Sequence, residues 1–483
     1  MSDIKTLEPK AVWGYFDEIT RVPRPSKHEE KIVAYLIEFA EKNRLEWQQD
    51  AVGNIVIRKE ASPGRENAPT VILQSHVDMV AEKNSDVAFD FLRDPLETYV
   101  EDGWVRARGT TLGADDGIGM AAALAVLTDT TLEHGAVEAL FTVDEETGLT
   151  GAYGLADNML TGRYLINLDS EDEGEIFIGC AGGIDTVATF SYQAEKPESG
   201  AQAFILSLKG LKGGHSGSDI DKGHANSNKV LTRFLLRGAE EFGLRLSFFD
   251  GGNLRNAIPR EAMAIFTVAA EKAGAMRESL ATFAREIKEE FKYTEPKIDF
   301  SLSETTAAHV IDRATQQKLL LALGGVANGV LAMSRSMPGL VETSTNLASV
   351  KFADNHQIIV VTSQRSSLES AKYDAMQTVS ATLALGGATV AHSDGYPGWA
   401  PNPESPLLHV AKEVYHKEFG KAAAVKAIHA GLECGLFLKK YPHLEMISIG
   451  PTLEGVHSPD ERLKIDTVGQ FWILLTGILA TLK

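Results

Sequence analysis

The chain is predicted to be an α/β protein: a mostly parallel central sheet flanked by helices, with an inserted α+β domain made of two split-βαβ halves. Three observations predict it. Short continuous apolar runs recur at residues 71–73, 137–143, 165–168 and 446–449, the pattern of strands buried on both faces of a parallel sheet. A helix of small residues lies among these runs, at 117–127. From about residue 202 to 392 the texture changes to alternating polar strands and charged amphipathic helices, in two similar stretches.

Residues 9–44 place apolar side chains at helical spacing, as in Ile32, Val33, Tyr35, Leu36 and Phe39, and residues 54–57 follow as a short strand. The helix at 117–127, rich in glycine and alanine, lets its backbone approach a sheet closely. In the inserted domain the first stretch reads as a strand to Lys209, a helix at 226–242, strands at 244–249 and 262–268, a helix at 275–291 and a strand at 298–302. The second reads as a helix at 314–323, strands at 345–352 and 357–363, a helix at 368–385 and a strand at 389–392. Both follow α-β-β-α-β order, which suggests two split-βαβ units side by side.

At 483 residues the chain is about three times the usual domain length, so two or three compact units are expected. The expected division is one domain in two segments, 1–190 and 396–483, with residues 191–395 inserted between them. Lysine and arginine minus aspartate and glutamate is 47 − 66 = −19, a field that repels phosphate backbones and anionic lipid and favours cations. No nucleic-acid or membrane partner is therefore expected. Only two cysteines, Cys180 and Cys434, are present, which rules out a disulfide framework and a cysteine-rich zinc site and fits a reducing compartment. The start, Met1 to Lys5, lacks the basic-then-apolar pattern of a secretory signal, and the apolar stretch at 471–482 is too short to span a bilayer. A cytoplasmic protein is the expectation.

Each buried run ends in residues that bind metals or move protons. The first leads into His76-Val77-Asp78, the second into Asp144-Glu145-Glu146, the third into Asp169, and the fourth, through a Gly-Pro turn, to His457. Asp115 lies in Gly113-Ala114-Asp115-Asp116-Gly117, directly before the small-residue helix. In an open α/β sheet, residues at the carboxyl ends of the strands converge on one crevice even when far apart in sequence. Carboxylates gathered there raise one another's pKa unless cations neutralise them, and a pair of divalent metal ions supplies that charge. Histidine nitrogen with carboxylate oxygen suits zinc and admits manganese or cobalt, and one carboxylate then bridges two ions about 3.5 to 4 Å apart. Asp78 shares a strand face with His76 and can hold the imidazole in its metal-binding tautomer. Of the adjacent Glu145 and Glu146, one is available to a metal and the other as the base that deprotonates the attacking water. Taken singly, each residue has an ordinary explanation: a strand-end histidine, a helix-start aspartate, a solvated acidic pair, a surface histidine. Their joint placement after strands of one sheet outweighs those explanations.

These residues lie in segments that resemble the Xaa-His dipeptidase (aminoacyl-histidine dipeptidase) branch of the dinuclear-zinc peptidases, a family that includes carnosinases and glutamate carboxypeptidases. The resemblance covers essentially the whole chain. It rests on Gln74-Ser75-His76-Val77-Asp78-Met79-Val80, the segment from Arg108 to Gly119, Gly179-Cys180-Ala181-Gly182-Gly183, Gly213-Gly214-His215-Ser216-Gly217, the segment from Arg255 to Glu261, His429-Ala430-Gly431-Leu432-Glu433-Cys434-Gly435 and His457-Ser458-Pro459-Asp460-Glu461. It implies a zinc-peptidase-like catalytic domain with an inserted lid. In it His76 and Asp169 hold one Zn²⁺, Glu146 and His457 hold a second, and Asp115 bridges them. It further implies that Asp78 orients His76, that Glu145 is the general base, and that the Asp115–Asp116 peptide is cis. In the lid, His215 resembles the oxyanion-stabilising histidine, and Asn256 and Arg365 resemble the substrate-binding asparagine and arginine. An arginine suits the free carboxylate of a dipeptide through two parallel hydrogen bonds. The sequence departs from the pattern at Asp144, an extra acid before the glutamate pair, and at Asp116, where relatives can carry Asn. Neither departure removes a ligand.

The expected activity is metal-dependent hydrolysis of dipeptides, Xaa-His (carnosine-like) substrates foremost, with two Zn²⁺ per chain and Mn²⁺ or Co²⁺ as substitutes. Arg365 is expected to measure the distance from the scissile bond to the C-terminal carboxylate and so exclude long peptides. Two alternatives stand beside this on sequence alone: an amidase or deacylase of N-acyl amino acids, and a catalytically silent peptide-binding relative. The lid halves are expected either to complete the site within one chain or to mediate a homodimer.

Overall fold

The four continuous apolar runs fold into four adjacent parallel strands, in the spatial order Val137–Thr142, Val71–His76, Tyr164–Asn167, Glu445–Ser448. All but one of their residues are buried, as their lack of polar alternation requires. Pairing turns antiparallel on both sides of this group, with Ile55–Lys59 along one edge and Glu175–Cys180 along the other, within an eight-stranded sheet. Ile55–Lys59 is one arm of a hairpin with Glu46–Gln49, and Asp50 closes its turn by accepting the N–H groups of Val52, Gly53 and Asn54. Short connections of this kind allow only antiparallel neighbours, whereas the parallel centre needs helical crossovers.

This computed structural model describes residues 4–483; Met1 to Asp3, part of the start read as lacking a secretory signal, lie outside the described residues. Residues 9–44 form two helices, Lys10–Thr20 and Glu30–Asn43, separated at Pro23 and Pro25, whose rings fix φ and remove N–H donors. The small-residue helix, Ala114–Thr128, is buried almost throughout. At Gly117 an added Cβ would lie 3.3 Å from the Phe16 ring and 2.6 Å from Arg24 Nη2, so only glycine permits that approach.

Two units divide the chain: Met1–Gly179 with Pro401–Ala427 and Leu432–Lys483, and Cys180–Ala400 with Ile428–Gly431. The second unit is built on a nine-stranded antiparallel sheet. Asp299–Thr305, Ala201–Lys209, Ala262–Ala269 and Arg245–Gly251 make one half in that order. Val341–Ala353, Gln357–Ser366, Gly182–Ser191 and Thr389–His392 make the other, and Gly329–Met333 pairs with the edge of Val341–Ala353 that also meets the first half. The halves join where Asp250 and Gly251 pair with Lys351 and Val350. The first strand of the second half, Gly182–Ser191, precedes the whole first half in sequence, so the unit begins at Cys180 rather than at residue 191. Phe204, Phe234, Phe249, Phe266 and Phe283 fill its core. Among the described residues, no helix is long and apolar enough to cross a membrane.

Candidate metal centre

The loops leaving the carboxyl ends of the parallel strands bring five side chains of the first unit together. His76 is the last residue of its strand, Asp169 lies just past Tyr164–Asn167, and Glu146 belongs to the short helix Glu145–Gly148 that follows Val137–Thr142. His76 Nε2 lies 2.9 Å from Asp115 Oδ1 and 3.4 Å from Asp169 Oδ1. His457 Nε2 lies 3.2 Å from Asp115 Oδ2 and 3.0 Å from Glu146 Oε2. The two oxygens of one aspartate thus face two separate histidine–carboxylate pairs, and the donor atoms of each group lie within 4.8 Å of one another. His457 takes up this position with φ at +61°, a left-handed backbone that costs a non-glycine residue about 1 kcal/mol or more. The donor set fits a pair of divalent cations: each group offers one nitrogen and two oxygens from separate elements, and Glu146 Oε1 is buried with no hydrogen-bond partner.

Electrostatics point the same way. Burial works against a charged Asp115, yet hydrogen bonds from His457 and His76 hold its carboxyl far below the usual range. Burial instead pushes Asp169 well above it. Hydrogen bonds to Asp115 and Glu146 raise His457 to about 11. Acids a few ångströms apart driven in opposite directions mark a place where further positive charge is stabilising.

Asp78 is fully buried, and its two oxygens accept the N–H groups of Glu145 at 2.9 Å and Glu146 at 3.2 Å and the Ser26 hydroxyl at 2.8 Å. Oδ1 also faces His76 Nδ1 at 3.4 Å. Against burial, His76, the Glu145 N–H and Ser26 hold Asp78 down to about 2. One carboxylate therefore anchors the backbone of both glutamates and lies beside the His76 imidazole. Glu145 shares a possible ligand group with His76 and Glu146 but belongs to neither of the groups that share Asp115; burial, then the charges of Glu433, Glu146 and Asp115, push it up to about 8 against the pull of His76.

The two extra acids are structural. Asp144 binds the Lys27 ammonium and the Thr147 and Thr150 hydroxyls. Asp116 follows a cis peptide bond after Asp115 and accepts the Gly119 N–H at 3.1 Å, at the start of the small-residue helix. Adjacent aspartates thus divide the work: one faces the histidines and one caps a helix.

A polar layer that sequence reasoning missed crosses the sheet two residues before His76 and Asp169. Glu433 Oε2 accepts from Gln74 Nε2 at 2.7 Å and from Thr142 Oγ1 at 2.9 Å, Gln74 Oε1 accepts from Asn167 Nδ2 at 2.6 Å, and Ser448 donates to Asn167 Oδ1. The available signal was the polar residue interrupting an apolar run two positions before His76 and again two before Asp169.

In the second unit, Ser216 N–H donates to the Asn256 carbonyl and Ile258 N–H to the Gly214 carbonyl, both at 2.8 Å, so His215 and Asn256 line one cavity of about 550 Å³. His215 Nδ1 accepts the N–H groups of Gly217 at 3.2 Å and Ser218 at 3.1 Å. That assigns the ring proton to Nε2 and leaves Nε2–H as a donor, while burial and the Arg365 charge push the imidazole toward its neutral form. Arg365 is buried and donates to the Tyr396 hydroxyl at 2.8 Å. His429, another residue given no role from sequence, bonds Ser344 Oγ through Nε2 at 2.7 Å and is pushed down to about 3 by burial and Arg365.

The model of peptidase family M20/M25/M40 matches residues 72–479 of the chain. The cytosol non-specific dipeptidase of Escherichia coli K12 is 44% identical over 480 residues, 99% of each protein. The crystal structure of an aminoacylhistidine dipeptidase from Vibrio alginolyticus is 43% identical and aligns with a TM-score of 0.95 over 100% of this chain and 98% of that one. A tripeptidase from Staphylococcus aureus shares the fold at 16% identity, with a TM-score of 0.57 over 99% of each chain.

Proposed function

Because the chain belongs to peptidase family M20/M25/M40, we propose that it is a metallodipeptidase that cleaves Xaa-His dipeptides with two Zn²⁺ ions, for which Mn²⁺ or Co²⁺ can substitute. One observation carries the reading: the two oxygens of Asp115 face two histidine–carboxylate pairs. His76 and Asp169 would hold one ion, Glu146 and His457 the other, and Asp115 both. When bound, such ions polarise a carbonyl and lower the pKa of water.

The chain's own residues do the rest. Glu145 takes a proton from the attacking water and returns it to the departing amine nitrogen, so that the C–N bond breaks as the new C–O bond is retained. Its position outside both groups that share Asp115, with its backbone fixed by Asp78, supports this assignment. His215 donates Nε2–H to the carbonyl oxygen as negative charge develops there, an interaction whose loss typically costs about 2.7 to 4 kcal/mol. Arg365 pairs with the free C-terminal carboxylate and Asn256 holds the peptide, so longer peptides are excluded.

The names of the two closely similar relatives differ on whether histidine is needed, which makes specificity the variable to measure. The test is a panel of Xaa-His dipeptides, other dipeptides, tripeptides and N-acetyl amino acids, assayed after chelation and again after adding back zinc, manganese or cobalt. Metal-restored turnover confined to dipeptides and highest for Xaa-His is expected. Preference for N-acetyl amino acids would transfer the site to the deacylases, and no turnover with any metal would leave a binding protein. The pairing of the two halves of the second unit within one chain supports an internal pair, and sedimentation tests whether a homodimer forms through that unit as well. A cytoplasmic location is supported by the Escherichia coli relative, named for the cytosol.

A further inference from the structure

We propose that Arg24 and Glu461, neither of them a metal ligand, are positioning residues that clamp the Asp115 segment and thereby set the enzyme's capacity to hold two divalent ions at once. The inference rests on reading Asp115 as the shared ligand.

Glu461 sits four residues after His457, and its carboxylate accepts four consecutive backbone N–H groups. Leu112 and Gly113 donate to Oε2 at 2.7 and 3.0 Å, and Ala114 and Asp115 to Oε1 at 2.8 and 3.4 Å. Gly113, at φ +63°, turns the chain so that these groups converge on one anion, a concavity of the kind that elsewhere binds phosphate. Here the protein supplies the anion itself. The loop that carries His457 is thus tied to the segment that carries Asp115.

Arg24 ties the other side. Held between Pro23 and Pro25 and 1% exposed, it donates through Nη1 to the carbonyls of Val77 at 2.9 Å and Asp78 at 2.6 Å, and through Nη2 to that of Gly113. Those peptide groups lie just after His76 and just before Asp115. The guanidinium occupies space that glycines leave: a Cβ on Gly113 would come within 2.7 Å of Nη2, and one on Gly117 within 2.6 Å. Its charge lies among Asp78, Glu461, Asp116 and Asp115. The Gly113 peptide is therefore held by a carboxylate at its N–H and by a guanidinium at its C=O.

A bridging carboxylate must present both oxygens at about 2.0 to 2.2 Å from ions about 3.5 to 4 Å apart, so small displacements of its backbone matter. Each half of the clamp has an isosteric probe. E461Q keeps the size of the side chain but turns an amide NH₂ toward two N–H donors, since a carboxylate alone can accept on both sides. R24K keeps the charge, but one ammonium cannot span three carbonyls arranged for a planar fork.

The test is zinc binding by the full-length protein in chelator-buffered solutions, scored as stoichiometry and affinity, with melting curves as a check of folding. The wild type is expected to take up two ions. E461Q and R24K are each expected to bind 10–100-fold more weakly, and at a free zinc level that just saturates the wild type to retain about one ion. E454Q, which removes the exposed partner of Arg462 in the same loop as His457, should bind zinc as the wild type does. Folded variants that load two ions with wild-type affinity would overturn the clamp, as would E454Q weakening zinc to the same extent, or E461Q and R24K both failing to fold. A wild type that takes up fewer than two ions would instead overturn the two-ion reading on which the clamp rests.

Discussion

Replacing Asp78 with asparagine tests how the centre is organised. Three groups donate to this carboxylate, Glu145 N–H on Oδ1 and Glu146 N–H and Ser26 Oγ on Oδ2, and His76 Nδ1 faces Oδ1 at 3.4 Å. Asparagine offers one acceptor oxygen, so its amide must face one of the two pairs. Turned toward Oδ2, it lets the Ser26 hydroxyl rotate and accept but leaves the Glu146 N–H without a partner, at a cost of about 1–3 kcal/mol. Loss of the charge also weakens the surviving bonds by about 1 kcal/mol each, since hydrogen bonds to charged groups are worth about 1.5–3 kcal/mol and neutral ones about 1. The expected loss of stability is about 3–5 kcal/mol. Because the imidazole and the Glu146 backbone are both loosened, zinc affinity should fall 10–100-fold, about 1.4–2.7 kcal/mol. Calorimetric melting of the metal-free protein measures the first figure and chelator competition the second. If D78N melts with the wild type and binds zinc within twofold of it, Asp78 does not organise the site and the reasoning fails.

E145A should lose at least a hundredfold in kcat while its zinc content, measured by metal analysis, stays that of the wild type; retained turnover would remove Glu145 as the base. For Glu433, burial pushes the carboxyl up to about 7 from an ordinary 4.5, so the native protein keeps a proton that the unfolded chain has released. That contribution to stability is complete below about pH 4.5 and is lost as the pH rises through 7, so the melting temperature of the metal-free protein should fall across this window. E433Q, with no proton to lose, should flatten the fall, whereas E433L strands the Gln74 and Thr142 donors and should cost about 2–6 kcal/mol. A pH profile for E433Q that overlays the wild type would refute the assignment.

The sequence by itself determined the pieces. Continuous apolar runs specified the parallel strands, because a strand covered on both faces has no use for polar alternation. Helical and alternating periods specified the elements of the second unit, since each amphipathic face records which side meets the core. His76, Glu146, Asp169 and His457 were legible because they follow those runs and Asp115 because it directly precedes the small-residue helix, and the rule that strand ends converge does not depend on side-chain detail.

Tertiary structure decided what sequence distance hides. Pairing alone reveals that Gly182–Ser191 opens the second half of the inserted unit from in front of the first, because hydrogen-bonded neighbours there lie more than 150 residues apart. Adjacent acids in one motif look alike in sequence. Only packing separates Asp115, facing two histidines, from Asp116, capping a helix, and Glu145 from Asp144, held by Lys27. Arg24, Glu433 and Glu461 lie in a proline-flanked turn and in two short motifs, with nothing local to mark them. Their roles arise from burial, which turns a polar side chain into one that must find partners, and those partners are backbone and side-chain groups the fold delivers from distant segments.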